Sequence, residues 1–230
     1  MLKMVRNNQP HPPVPQFFSS KIKAALQTVG KVLKTKFHAK VTYETVNLDN
    51  TKPVNGRRHY KTEFKKIKNK KGLYLFYETT TEKVTKIFYV GKTGQNDSND
   101  ESCDVFYKAK SDDNDDKDTS KNSGGSGRIT HHIVGKDDTI FADASGFKRK
   151  TDEYNDFVNK YSVLCMIIDS EQIGDRFEKL LLLCEAYLIL ALTPKMNKAL
   201  EFDMRVIRSS TKKIQKRLTS VITELLPEFV

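Results

Sequence analysis

Seven polar side chains, Tyr74, Tyr89, Lys92, Arg128, His132, Glu185 and Asn197, are of the types that hydrolysis of a phosphodiester requires. That reaction needs an oriented water, a proton acceptor, positive charge on the phosphoryl oxygens and help for the departing oxyanion. Tyr74 and Tyr89 close and open two short segments, Gly72-Leu73-Tyr74 and Tyr89-Val90-Gly91, and offer phenol oxygens from neighbouring strands. Glycine at 72 and 91 lets a ligand or another backbone come close. Lys92 follows directly, and an ammonium beside a phenol favours the phenolate, the form in which a tyrosine accepts a proton.

Arg128 and His132 are four residues apart and share one face of a helix. Arginine can clamp a phosphate through two parallel hydrogen bonds and is always charged. His132 can donate to the phosphate or tune the tyrosine; His131, one residue off that face, reads as a solvent-exposed helix residue. Glu185 stands in LLLLCEAYLIL, a helix apolar nearly all round, where a carboxylate needs a partner. Two partners fit: a buried salt bridge, or a hard cation such as magnesium, with manganese as substitute, which accepts one carboxylate plus waters and substrate oxygens. A single carboxylate argues against a two-metal site and against a strand-borne Asp/Glu-x-Lys pattern. Asn197, shortly after Pro194, reads on its own as a turn residue.

The elements that position these groups follow from periodicity. Phe18, Ile22, Ala25, Leu26, Val29, Leu33 and Phe37 recur at helical spacing behind a Ser19 or Ser20 cap. Val41 to Leu48 reads as a short strand. Leu73–Tyr77 and Lys86–Gly91 are rich in β-branched and aromatic residues around the polar stretch 79–83, which predicts an antiparallel hairpin. Arg128 opens a short helix, Tyr161–Asp169 is a buried strand, and Asp175–Leu192 is a long helix stopped by Pro194. Met204–Leu225 carries the stripe Ile207, Ile214, Leu218, Val221 and Leu225. The fold expected is α+β, a small antiparallel sheet flanked by helices with helical extensions at both ends.

Composition bounds the partners. The 230 residues carry a formal net charge of +11, with 40 basic against 29 acidic residues, which points to a polyanion, nucleic acid before anionic membrane. From 52 to 71, nine basic residues meet one acid, and Arg57, Arg58, Lys61, Lys65, Lys66, Lys68, Lys70 and Lys71 are the candidate phosphate-backbone contacts. Interleaved Tyr60, Phe64 and Ile67 are expected to dock part of this stretch on the body. Residues 95–127 reverse the sign, with nine acids against four lysines, and read as a disordered insertion. Residues 1–16, with four prolines and no apolar run, read as a disordered N-terminus rather than a signal peptide. Residues 17–71 then form a basic extension, 72–200 a core and 201–230 a basic amphipathic helix. Cys103, Cys165 and Cys184 lack metal-ligand spacing, and the last two sit in apolar runs; a reducing, cytoplasmic setting is expected. No apolar stretch reaches the ~20 residues of a membrane span.

Gly-Leu-Tyr, Tyr-Val-Gly-Lys, an arginine with histidine four residues on, a helical glutamate and a Pro-x-x-Asn turn, in that order, resemble the GIY-YIG nuclease superfamily over Gly72 to Asn197. Leu73 and Val90 stand where the signature has isoleucine. The resemblance implies a three-stranded antiparallel sheet with flanking helices and one active site per chain using one divalent metal. By position, Tyr74 would be the general base, Tyr89 a supporting hydrogen-bonder and Arg128 the phosphoryl clamp. Glu185 would hold the metal and Asn197 would brace the site. Lys92 and His132 match assisting positions of the restriction-enzyme branch. Water attack would leave a 5′-phosphate and a 3′-hydroxyl.

A compact chain with basic extensions looks most like a stand-alone type II restriction endonuclease acting on double-stranded DNA, without a nucleotide cofactor. A homodimer, or two successive events, would cut both strands. Competing readings are a structure-selective repair or mobile-element nuclease of the same fold, a catalytically silent nucleic-acid-binding protein, and a membrane-surface protein. The stripe of the last helix lacks the bulky aromatic anchors that the membrane reading needs.

Overall fold

The computed structural model describes residues 14–48, 53–54, 57–58, 62–79, 82–93, 105–107, 127–134, 140–148, 151–169 and 175–197. Tyr60, Lys61, Cys103 and the expected helix Met204–Leu225 lie outside the described residues, as does most of the 95–127 stretch.

Helix α1 (Ser20–Phe37) starts where the sequence predicts, its Ser19 side chain accepting from Ile22 N–H, and ends at His38 in the left-handed region. Strands β1 (Lys40–Asn47), β4 (Gly72–Glu78), β5 (Tyr89–Lys92) and β6 (Tyr161–Asp169) form one antiparallel sheet in the order β1-β6-β4-β5. A separate two-stranded ribbon pairs β2 (Pro53–Val54) with β3 (Arg57–Arg58). The sheet therefore has four strands where three were expected. The added strand is β1, assigned by sequence to an extension, which pairs with β6 along its whole length from Lys40↔Asp169 to Asn47↔Ser162. This pairing covers the edge that β6 would otherwise expose.

Side chains alternate cleanly between two layers. Leu73, Leu75, Tyr77, Val90, Leu164, Met166 and Ile168 enter one, closed by α1 and by α5 (Asp175–Leu192). Tyr74, Phe76, Val163, Cys165 and Ile167 enter the other. That layer is closed by a 3-10 turn (Thr62–Ile67) and by three short helices: α2 (Arg128–Val134), α3 (Ile140–Ser145) and α4 (Asp152–Asn159). A strand buried on both faces reads as a continuous apolar run, which is why β6 was legible. Helices α3 and α4 were not anticipated, because six and eight residues give too few turns for a clear period. One signal was available: Thr151 caps α4 and Asp152 and Glu153 fill its first turn.

Three further expectations change. β4 and β5 are antiparallel neighbours, as the hairpin expectation has it, and Thr79, Glu82 and Lys83 of the polar stretch between them are exposed. What changes is the start of β5, at Tyr89 rather than Lys86: Val84, Ile87 and Phe88 ahead of it are buried outside the strand, and Val84 exchanges backbone hydrogen bonds with the Phe17–Ser19 segment. Within the stretch read as a disordered insertion, Phe106 and Tyr107 are buried. Phe106 N–H donates to Lys70 O, and Tyr107 O accepts from Asn69 N–H. At the end of the presumed disordered N-terminus, Val14 packs in the core and Gln16 accepts from Lys23 Nζ. In both segments a few apolar residues dock despite their polar neighbours, an outcome that average composition hides. No described helix is long and apolar enough to cross a membrane.

Candidate active site

Tyr74 lies opposite Gly91 in the β4–β5 ladder and is completely buried. A Cβ at Gly91 would sit 2.3 Å from the Tyr74 hydroxyl, so the phenol lies flat across the one position in β5 that has no side chain. This is the close approach that a glycine at this register permits. The phenol ends 2.6 Å from Nε2 of His132, on α2. The Tyr89 ring is 6.1 Å from that of Tyr74 and 4.9 Å from that of His132, measured between centroids. Arg128, one turn before His132, acts on both phenols, and Tyr74 and Tyr89 act on each other. His132 is buried and His131 exposed, so the inward-facing histidine is His132.

Glu185 arrives from the opposite layer, on α5, at the β5 edge. Its carboxylate accepts from the Lys92 backbone N–H and feels the charges of Lys92 and Arg128. Asn197 grips β5 from outside: Oδ1 accepts from Val90 N–H at 2.9 Å and Nδ2 donates to Val90 O at 2.8 Å. Two neighbouring bonds, Lys195 N–H to Ile87 O and Met196 N–H to Phe88 O, extend this contact. The carboxamide thus takes the place of a strand's backbone and completes the edge of β5 between Tyr89 and Gly91. This is more than a turn residue does.

Electrostatics sort the groups by protonation. Burial raises the Tyr74 phenol well above its usual value, the neighbouring Tyr89 and Glu185 raise it further, and Arg128 opposes them. Burial likewise raises Tyr89. Burial, then Arg128 and His131, hold His132 well below the ordinary imidazole value. Burial pushes Glu185 up to about 7 against the pull of Lys92, Arg128 and the Lys92 N–H. The expectation that Lys92 makes Tyr74 a phenolate is corrected: the cation acting on both phenols is Arg128, while Lys92 acts on Glu185. At neutral pH the resting pair is a neutral phenol against a neutral imidazole.

All seven site candidates thus converge at the β5 edge. The basic candidates precede β4 in sequence. Lys65, Lys66, Lys68, Lys70 and Lys71 are exposed ahead of β4, anchored by buried Phe64 and Ile67. Arg57 and Arg58 form β3, and Lys61 is outside the described residues. Cys165 and Cys184 are buried free thiols, packed as small hydrophobes. Among the described residues no group of three or more His, Cys, Asp or Glu converges. No protein-family model, curated protein or solved structure matches this chain.

Proposed function

We propose that this chain is a metal-dependent endonuclease that hydrolyses phosphodiester bonds in duplex DNA, most simply as a type II restriction enzyme. The observation that carries the reading is the 2.6 Å contact between Tyr74 and His132, made inside a cluster that also holds Arg128 and Glu185. A buried phenol on a buried neutral imidazole can pass its proton to Nε2 when it takes one from water, so no standing phenolate is needed. Arg128 offers its guanidinium to the phosphoryl oxygens as charge builds there. Asn197 holds β5, the strand that carries Tyr89 and Lys92.

Glu185 suits a hard cation. It is a lone half-buried carboxylate whose charge burial disfavours, next to phenol oxygens, and this donor set is all oxygen. A magnesium or manganese ion held there would add Lewis-acid charge to a phosphoryl oxygen and to the leaving oxygen. The products are then a 5′-phosphate and a 3′-hydroxyl. One site per chain cuts one strand, so a double-strand break takes a homodimer or two visits.

Purified protein incubated with long phage DNA and magnesium is expected to give discrete fragments, abolished by chelator. A smear or nicks would indicate a structure-selective nuclease, and a mobility shift without cutting a silent binder. The reading fails if Glu185→Ala cuts at the wild-type rate.

A further inference from the structure

Three large apolar side chains are exposed among the described residues: Phe17, Phe147 and Leu182. Phe17 is accounted for by its stacking on Phe18 and Tyr77, with centroids 4.6 and 5.7 Å away. Phe147 is different. It follows Gly146, which ends α3 with φ +70 and donates its N–H to Ala142 O. In a helix stop of this kind the apolar residue after the glycine usually folds back on the helix. Here the ring stays 45% exposed. Its backbone is held in that posture: Phe147 N–H donates to Ser145 Oγ, and Thr151 Oγ1 donates to Lys148 O. Lys148 beside it is exposed, and the sequence continues with Arg149 and Lys150, with no acid before Asp152.

The turn belongs to the same layer as the candidate site. The Phe141 ring of α3 lies 5.1 Å from Phe76, whose ring is 6.1 Å from that of His132. Adding about 9 Å of helix rise and roughly 5 Å for the reach of each phenylalanine side chain puts Phe147 within about 30 Å of His132. That is inside the ~34 Å of one duplex turn. A phenyl ring has no polar handle for phosphate or groove edges, so what it can offer a duplex is apolar contact with base faces and sugars. Lysine at the adjacent position supplies the phosphate contact.

We propose that the Phe147–Lys148 turn is a DNA-contact element of this chain, its ring wedging against a base step within one turn of the cleaved phosphate while Lys148 holds the backbone. The inference rests on the duplex-DNA reading above and names which part of the surface meets bases rather than phosphates. An exposed ring beside lysine would also suit an anionic membrane surface. The DNA partner is favoured because α3, which ends in this turn, packs through Phe141 on Phe76, itself a ring neighbour of Tyr74 and His132.

The test uses the full chain carrying Tyr74→Phe, so that binding is read without turnover, and a short duplex labelled with 2-aminopurine at several positions. Binding is expected to raise the 2-aminopurine fluorescence as steps unstack. Phe147→Ala should abolish the rise and weaken binding about tenfold, the scale of one base–aromatic contact. Phe147→Tyr should keep both, and Lys148→Ala should lower the salt dependence by about one phosphate contact. Equal binding and fluorescence with Phe147→Ala overturns the inference, and so does failure of the parent chain to bind the duplex. Loss of binding to phosphatidylserine vesicles alone, with duplex binding intact, assigns the turn to a membrane and overturns it too. Magnesium-dependent cutting by the chain with Tyr74 intact is read separately. Phe147-dependent binding without cutting sinks the nuclease reading and keeps this one.

Discussion

Leu73, Leu75 and Tyr77 leave β4 on one side of the sheet, Tyr74 and Phe76 on the other, and the layers they enter differ in kind. The α1–α5 layer is largely aliphatic, and one phenol packed against it, Tyr43, is satisfied by the backbone, donating to Leu26 O at 3.3 Å. The opposite layer is aromatic; its Tyr154 likewise donates to a carbonyl, Ile133 O, but its Tyr74 is satisfied by an imidazole. Burial raises the Tyr43 and Tyr74 phenols. The difference lies in the partner: a carbonyl can only hold a proton donor in place, whereas an imidazole nitrogen can receive the proton. The aliphatic layer is thus a floor, and among the described residues it sends Glu185 to the candidate site, where the carboxylate meets the Lys92 N–H.

The largest test of this contrast removes each hydroxyl in turn. Tyr74→Phe keeps the packed ring and deletes the proton path, so cleavage is expected to fall on the order of 10²–10⁴-fold with little change in melting temperature. Tyr43→Phe should cost roughly 1 kcal/mol of stability and leave cleavage per folded molecule unchanged. Similar losses of cleavage in both variants would dissolve the distinction between the layers.

Glycines give the next comparison. Gly91→Ala drives a methyl group to within 2.3 Å of the Tyr74 hydroxyl, so ring or strand must shift and the contact with His132 opens. A loss of about 10²-fold in cleavage is expected, since misplacement by an ångström costs that much. Gly30→Ala, in α1 on the other layer, meets the Tyr43 hydroxyl at 3.2 Å and Met166 Cε at 3.5 Å. Its crowding is partly offset by the better helix propensity of alanine, and activity should be unaffected.

What the sequence disclosed follows the same division. Helix α1, strand β6 and helix α5 were legible because each buries enough apolar residues to set a period or an unbroken run. Glu185, Arg128 and His132 were legible because a carboxylate in an apolar helix and polar groups at helical spacing need a reason to be there, whereas Tyr74, Tyr89, Lys92 and Asn197 stood out only through the order of the motifs they belong to. What stayed hidden was relational. That Lys92 serves Glu185 while Arg128 serves the phenols depends on how β5 lies between α2 and α5. The docking of Phe106, Tyr107 and Val14 depends on partners far along the chain, and an average over polar neighbours dilutes it.

A smaller effect is expected at Asn197, which joins the layers by holding the strand between them. Asn197→Asp keeps an acceptor for Val90 N–H but loses the donor to Val90 O and sets a charge against that carbonyl. Cleavage should drop about tenfold, and the Val90 amide should exchange faster with solvent. Unchanged exchange would mean that neighbouring bonds from Lys195 and Met196 suffice to hold β5.

The mildest test concerns the one group that crosses between layers. Folded Glu185 releases its proton near pH 7, against about 4.5 for the ordinary carboxyl. Between these values the folded chain binds more protons than the unfolded one, so stability falls as pH rises through the window. The full cost, on the order of 3 kcal/mol, is present above it. Glu185→Gln has no proton to lose. With chelator present, the melting temperature of the wild type minus that of the variant should therefore decline from pH 5 to pH 8 and then level off. His132 titrates with the opposite sign, its depressed value costing stability as pH falls below 6.5, but it is common to both proteins and cancels in the difference. Magnesium added above pH 7 should recover part of the decline in the wild type alone, because a cation replaces the lost proton. A difference that stays flat across the window would mean that the Glu185 carboxylate is solvated, and its separation from the aliphatic floor would then have to be redrawn.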